Sequence, residues 1–98
     1  MENQFGNKIK ELRESKKLLQ RHIASILEID TPMLSKIERG ERKAKKEQVL
    51  KLAETFKVDS EELLTLWLAD QVYNVVKEEA VAYNALKTAT KNIKSKNK

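Results

Sequence analysis

Cysteine is absent from the sequence, and proline and glycine are rare, with one and two residues among 98. Without cysteine the chain has no disulfide, no thiolate metal site and no cysteine nucleophile, and a reducing cytoplasm is its expected location. All-β domains of this size need many more turn residues, so the scarcity of glycine and proline favours helices. These absences predict an all-α fold in a single domain.

Long apolar runs are also absent. The longest uncharged apolar stretch, residues 63–69, is much shorter than the roughly 20 residues that cross a bilayer. The N-terminal sequence MENQFGNKIK lacks the apolar segment of a signal peptide. We therefore expect a soluble cytoplasmic protein that has no membrane partner.

Residues for catalysis or metal binding are scarce. His22 is the only histidine, so the sequence offers no histidine cluster for a metal, and no Ser/His/Asp arrangement is evident. Gly6 and Gly40 belong to no phosphate-binding loop motif. We predict that the protein is not an enzyme and takes no metal, cofactor or small-molecule ligand, and that His22 faces solvent on a helix.

The net charge of +5 is unevenly distributed. Residues 36–46 carry six cations against two anions, whereas residues 61–80 carry five anions against one lysine. The cations of the first segment are Lys36, Arg39, Arg42, Lys43, Lys45 and Lys46. A basic region separate from an acidic one predicts one face for a polyanion and another face for a different partner.

Apolar residues recur at helical spacing along most of the chain. The spacing predicts helices over about residues 4–16, 20–27 and 46–57, and three more from about residues 31, 60 and 82. Asp30, Thr31 and Pro32 mark the start of the third helix, because Asp and Thr are good N-caps and proline suits a first turn. Gly40 ends it, since glycine readily takes the left-handed conformation past a helix end. Beyond Asn92 the lysine, serine and asparagine content predicts fraying.

The fifth and sixth helices raise the question of what covers them. The fifth begins SEELLTLWLADQVYNVVK and is apolar almost all the way round, which indicates burial on more than one side. The sixth has a thin, alanine-rich stripe that is too weak to stand alone. The second cover of the fifth helix is either this C-terminal segment, folded back on the same chain, or another copy of the chain.

The second and third helices, joined by about four residues, match a helix-turn-helix, whose second helix can lie in the major groove of DNA. The stretch LLQRHIASILEIDTPMLSKIERGERKAKKEQVLKLAETFKVDSEELL resembles the Cro/C1-type (XRE-like) helix-turn-helix. Its matching positions are Gln20, Ala24, Leu27, Ile29, Leu34, Ser35, Ile37, Glu38, Gly40, Ala53, Val58, Leu63 and Leu64. The resemblance implies a lambda-repressor-like five-helix DNA-binding domain over residues 5–64, followed by a helical extension over residues 65–98.

Two positions depart from the family pattern. Leu19 stands where the family usually has a serine or threonine cap, and Glu28 replaces a glycine in the turn. A residue other than glycine is uncommon at positive φ, so we expect either a distorted turn or a loss of stability at Glu28.

The third helix supplies the predicted DNA base contacts, because Leu34 and Ile37 face inward and leave its other side exposed. These contacts are Thr31, Pro32, Met33, Ser35 and Lys36. The Lys36 ammonium can donate to guanine O6 or N7, and the apolar surface of Pro32 or the Thr31 methyl group suits a thymine methyl. For Met33, packing against the rim of the core is an equal alternative.

Phosphate contacts are predicted around the same helix. They are Gln20, Arg39, Arg42 and Lys43, with Lys45 and Lys46 as weaker candidates. The resemblance implies that Gln20 acts through its amide and the helix N-terminus. It also implies an ion pair between Arg13 and Glu38 that orients the reading helix, and we expect this pair at the surface, where it contributes under about 1 kcal/mol.

One reading helix contacts few base pairs, so domains of this kind bind as two-fold dimers on half-sites about 10 to 10.5 bp apart. The predicted dimer interface is Leu64, Trp67, Leu68 and Tyr73, with Leu86 and Ile93 as further candidates. The expected partners are double-stranded DNA and a second copy of the chain, with RNA polymerase as an additional candidate.

The sequence thus predicts an autoregulatory transcriptional regulator similar to the controller proteins of restriction-modification systems or to phage repressors. The alternative from another class is an antitoxin whose C-terminal helices bind a toxin. A basic membrane-surface helix at residues 82–98 is disfavoured because its apolar stripe is mostly alanine.

Overall fold

A computed structural model of the chain describes residues 3–96, and within that range it contains helices and no strand. The helices are α1 (Gln4–Ser15), α2 (Gln20–Leu27), α3 (Thr31–Glu38), α4 (Lys46–Phe56), α5 (Ser60–Val76) and α6 (Ala82–Lys96). The predicted all-α fold is confirmed. The last helix runs past Asn92 as far as Lys96. The end of the expected frayed tail, Asn97 and Lys98, lies outside the described residues, so fraying stays a prediction.

The hydrophobic core lies among α1 to α5, and each of these helices contributes at least one fully buried side chain. The largest are Ile9, Ile23, Leu34, Val49, Leu52, Phe56 and Leu63. Burial of a side chain of this kind contributes roughly 1.5 to 3 kcal/mol, so the apolar stripe of each helix fixes which face turns inward. The core therefore closes within a single chain before α6 begins.

Local capping sets the ends of α3 as the sequence predicts. The Asp30 carboxylate accepts a hydrogen bond from the Met33 amide at 2.8 Å, and Pro32 lies in the first turn. Gly40 follows the helix at φ +78°, the left-handed conformation that ends it. The short helix α3 is thus delimited by residues within and beside it.

Helix α5 is covered on one side only. Leu63 is its only fully buried residue, and Leu64, Leu66 and Trp67 pack partly against the core. Farther along, Leu68, Val72, Tyr73 and Val75 remain exposed. Helix α6 buries none of its residues and leaves this side of α5 open. Within one chain, the expected second cover of α5 is therefore missing.

No helix among residues 3–96 is both long enough and apolar enough to pass through a lipid bilayer.

Candidate nucleic-acid interface

The turn between α2 and α3 is regular despite its missing glycine. Glu28 takes the left-handed conformation, with φ 59° and ψ 42°. The Ile29 amide then donates to the Ala24 carbonyl at 3.0 Å, which satisfies the end of α2. Of the two outcomes expected at Glu28, the turn is not distorted, and a cost in stability remains the prediction.

The start of α2 is capped in an unusual way. Leu19 has no side-chain acceptor, and its backbone N–H donates instead to Nδ1 of His22 at 3.0 Å. His22 is exposed, as predicted, and its ring nitrogen also satisfies the backbone N–H of Leu19. The signal in the sequence is the spacing of three residues, which is that of a capping box.

The outer face of α3 carries all five predicted base contacts. Pro32 and Lys36 are exposed, and Thr31, Met33 and Ser35 are half-buried. Met33 packs against the rim of the core, so the alternative considered for it holds for part of its side chain. The structure thus brings Pro32 and Lys36 fully to the surface and the other three to its edge.

Behind this face, Arg13 and Glu38 form a buried, bidentate ion pair. Arg13 Nε donates to Glu38 Oε2 at 2.8 Å, and Nη2 donates to Oε1 at 3.1 Å. Arg13 is 8% exposed and Glu38 is 3% exposed. The hydrogen bond from Glu38 raises the pKa of Arg13 above its usual value. The expectation of a surface pair is wrong, because the end of α1 and the end of α3 meet inside the domain.

Two further groups complete this pair. The third nitrogen of the Arg13 guanidinium donates to the Leu18 carbonyl at 2.9 Å, which ties it to the loop before α2. Gln20 Nε2 donates to Glu38 Oε1 at 2.9 Å. We call Arg13, Glu38 and Gln20 the buried network. Gln20, predicted to contact phosphate, has its amide engaged inside the protein, while it stays at the N-terminus of α2.

Arg39 joins the outer face of α3 to the basic loop that follows this helix. Its guanidinium donates to Glu41 at 2.8 and 3.3 Å and also to the Ser35 hydroxyl. The hydrogen bond between Arg39 and Glu41 raises the pKa of the guanidinium and lowers the pKa of the carboxyl group. Both side chains are exposed, so the pair is open to exchange with a phosphate.

Arg42 and Lys43 are exposed in the loop before α4. Neither forms an ion pair within residues 3–96. Lys45 and Lys46 are exposed as well, at the start of α4. The end of α3 and this loop therefore present a run of cations beside the outer face of α3.

The start of α1 is seated on the end of α3, a contact that the sequence analysis missed. Asn3 Nδ2 donates to the Glu38 carbonyl at 2.6 Å, and Asp70 of α5 accepts from the amides of Gln4 and Phe5 at 3.1 and 2.9 Å. A Cβ added at Gly6 would lie 2.7 Å from the Ile37 carbonyl oxygen and closer still to that of Glu38. A glycine inside a helical pattern was the available signal.

Comparison with known proteins identifies the arrangement. A family model described as a helix-turn-helix domain matches residues 6–67, and the resemblance to the XRE-like type is confirmed. The chain belongs to the XRE-like helix-turn-helix family. Among solved structures, the crystal structure of the restriction-modification controller protein C.AhdI from Aeromonas hydrophila is similar, with a TM-score of 0.57 and 32% identity. The match covers 63% of this chain and 94% of that chain. A search of the curated proteins found no match.

This helix-turn-helix protein is a DNA-binding transcription regulator. Among residues 3–96, no group of three His, Asp or Glu side chains is arranged to hold a metal ion. Helix α6 lies outside the matched residues 6–67. The matched residues therefore include the outer face of α3 and the buried network, and α6 lies beyond them.

In this helix-turn-helix protein the four predicted interface residues fall into two pairs. Leu64 and Trp67 are half-buried against the chain's own core, and Trp67 Nε1 donates to the Ala44 carbonyl at 2.8 Å. Leu68 and Tyr73 are 54% and 44% exposed. Trp67 thus holds the loop that carries the cations, and only the second pair turns its apolar surface fully outward.

Proposed function

We propose that this protein binds double-stranded DNA as a homodimer, on an operator of two half-sites, and regulates transcription of its own gene. One observation carries the proposal: the exposed face of α3 is backed by the buried network, which fixes the helix from inside. A reading helix held in this way presents its side chains in a constant register to the major groove.

Base readout in this proposal comes from the exposed residues of α3. Lys36 donates to guanine O6 or N7, and Ser35 bonds to a base edge once Arg39 releases its hydroxyl. Pro32, the Thr31 methyl group and the exposed part of Met33 contact thymine methyl groups. These contacts specify the operator sequence, because each base pair presents a distinct pattern in the major groove.

Phosphate contacts come from the cations beside α3. Arg39, Arg42 and Lys43 neutralise the DNA backbone and position the reading helix without reading sequence. Gln20 contributes through the N-terminus of α2, where backbone N–H groups point toward a phosphate. Its side chain stays on Glu38, which keeps this carboxylate paired beside the DNA.

The dimer in this proposal forms through the apolar side of α5. Leu68 and Tyr73 supply the exposed surface, and Leu64 and Trp67 lie at its edge against the core. Two-fold symmetry places the two reading helices on half-sites about 10 to 10.5 bp apart. The similarity to C.AhdI, a restriction-modification controller protein, supports regulation in that setting. We propose RNA polymerase as a further partner.

The test is footprinting on the DNA upstream of the protein's own gene. We expect protection of two related half-sites, and we expect Lys36→Ala to raise the concentration needed for protection by about fivefold or more while the fold persists. Lys91→Ala in α6 removes the same charge away from α3 and is the matched control. Absence of protection at low salt would overturn the autoregulator, since nonspecific binding is strongest there.

A second candidate is the antitoxin, which the exposed apolar side of α5 favours. In that case the extension binds a toxin and DNA binding is secondary. Co-expression with the neighbouring gene distinguishes the two, because a stable complex formed through α5 and α6 would replace the homodimer.

A further inference from the structure

Helix α6 has two chemically distinct faces and buries neither. Its apolar stripe consists of Ala82, Ala85, Leu86, Ala89 and Ile93, at helical spacing on one side. The opposite side carries Lys87, Lys91 and Lys94, and the whole helix contains no acidic residue. An isolated helix of about 15 residues is marginal in water, so the stripe needs a cover.

An unfilled apolar groove lies along α5. Its walls are Thr65, Leu68, Ala69, Val72, Tyr73 and Val76, and α6 of the same chain contributes only Leu86. Ile93 lies about 10.5 Å farther along α6 and is 60% exposed. Within one chain, α6 therefore touches the groove near its own beginning and leaves both the groove and most of its own stripe uncovered.

The charges of the two helices are complementary. Glu61 lies just before the groove, and Glu78 and Glu79 lie just beyond its end, against the single Lys77. Glu62 and Asp70 are engaged with α1 instead, through Lys8 and the amides of Gln4 and Phe5. Helix α6 carries four lysines, Lys87, Lys91, Lys94 and Lys96, against no acid. With the stripe in the groove, Lys87, Lys91 and Lys94 face outward, so their attraction to the acidic ends acts over a distance and steers a second copy of α6 to the groove.

We propose that α6 of one copy lies in the α5 groove of a second copy, and that the two copies exchange these helices about a two-fold axis. Both required surfaces are present on every chain, so one two-fold operation buries both grooves and both stripes. This inference rests on the proposed dimer and names the residues of α5 and α6 that form its interface. Because α6 lies outside residues 6–67, the exchange is a device added to the family's domain.

The first test replaces the apolar stripe with charge in the full chain. In Leu86→Lys/Ile93→Lys, we expect the dissociation constant of the dimer to rise by at least about tenfold in sedimentation equilibrium. Asn84→Lys/Thr88→Lys adds the same charge to the other face of α6 and is expected to change it by less than about twofold. The core is undisturbed in both variants, because α6 buries no residue.

A groove variant separates this inference from the dimer itself. Val72→Lys is expected to weaken the dimer as strongly as the α6 double variant does. If Val72→Lys breaks the dimer while Leu86→Lys/Ile93→Lys leaves it intact, α5 forms the dimer and the exchange is wrong. If the unmodified chain occupies its operator as a monomer, the proposed dimer fails first and the exchange fails with it.

Crosslinking tests the exchange directly, because the chain has no cysteine of its own. Tagged Val72→Cys and untagged Ile93→Cys are unfolded, refolded together and treated with a short bismaleimide. We expect a covalent product that contains one tagged and one untagged chain. If the double variant Val72→Cys/Ile93→Cys forms its crosslink within a monomer, the exchange is wrong. The exchange is also wrong if the purified protein holds a different protein in the groove.

Discussion

The helix-turn-helix domain and the C-terminal extension differ in where their apolar side chains go. In the domain, Ile9, Ile23 and Leu34 are fully buried within one chain. In the extension, Leu68 and Ile93 stay exposed although they lie on equally regular helices. A regular apolar stripe thus predicts that a helix face will be covered, but it does not tell whether the cover belongs to the same chain.

Their charged groups differ in the same way. The domain buries the Arg13–Glu38 pair and uses it to join α1 to α3. In α6, by contrast, every charged side chain is exposed. Inside the domain, the charged pair fixes the position of α1 against α3. In the extension, the lysines of α6 pair with no group of the chain's own core, and we expect them to favour an acidic partner surface.

The largest effect is expected at the buried pair of the domain. Glu38→Ala leaves the Arg13 guanidinium buried without its carboxylate, so we expect the free energy of unfolding to fall by about 3 to 5 kcal/mol. Urea denaturation followed by circular dichroism measures the loss. Thr88→Ala, on the face of α6 away from the apolar stripe, is the control and is expected to leave the unfolding free energy unchanged. Equal losses in both variants would contradict a special role of the buried pair.

The next effect is expected where α1 meets α3. Gly6→Ala forces a Cβ against the carbonyl oxygens of Ile37 and Glu38, so we expect a loss of about 1 to 3 kcal/mol in unfolding free energy. Asn7→Ala changes the exposed neighbour in the same turn and serves as the control. A Gly6→Ala variant as stable as the unmodified chain would mean that α1 is not seated on α3.

A comparable effect is expected on binding at the reading face. Lys36→Ala should weaken binding to the cognate operator by about 1 to 3 kcal/mol and relax the preference at one base pair. Arg39→Ala should instead weaken binding to every sequence and reduce the salt slope by about 1. Fluorescence anisotropy on an operator and on its single-base variants, at several salt concentrations, separates the two. Unchanged binding by Lys36→Ala on all sequences would show that α3 reads DNA through other residues.

A smaller effect of opposite sign is expected in the turn. Glu28→Gly removes the strain of a left-handed residue with a Cβ and should raise the unfolding free energy by about 1 kcal/mol. Ser25→Gly, in the helix just before, should lower it by about 0.5 kcal/mol, because glycine is a poor helix former. Thermal unfolding of the two variants gives the comparison, and a loss in both would contradict the left-handed geometry at Glu28.

The smallest effect is expected at Glu41, which holds Arg39 in the DNA-free protein. Glu41→Gln frees this guanidinium for phosphate, so affinity for any sequence should rise by less than about fivefold. Glu54→Gln removes the same charge from α4 without touching Arg39. Titrations of both variants at one salt concentration measure the effect. Equal gains in affinity would mean that the change in net charge, and not the release of Arg39, is the cause.

The local features of the fold and of the site could be predicted from the sequence. The bounds of α3 follow from Asp30, Pro32 and Gly40, because capping and left-handed turns involve residues a few positions apart. The inward faces of Leu34 and Ile37 follow from spacing alone. For the same reason, the sequence alone defines the outward face of α3, on which the predicted base contacts lie.

The contacts between distant residues were not predictable in this way. The Asp70 carboxylate reaches the start of α1, and the Trp67 indole reaches Ala44, across many positions that share no pattern. The Arg13–Glu38 pair was expected from family resemblance, but its burial depends on the Leu18 carbonyl and the Gln20 amide, which close around it only in the folded domain. The spacing of apolar residues identifies which side of each helix faces inward, whereas tertiary packing determines which buried polar groups contact each other.

Trp67 gives the protein an optical probe of its own. It is the only tryptophan in the sequence, and its indole N–H is bonded to the carbonyl of Ala44, at the end of the loop that carries Arg42 and Lys43. Indole emission depends on the polarity and hydrogen bonding around the ring. We therefore expect a loop movement that breaks this hydrogen bond to change the emission spectrum without a label. Operator titrations can thus be followed in the unmodified chain, in real time, through one aromatic ring.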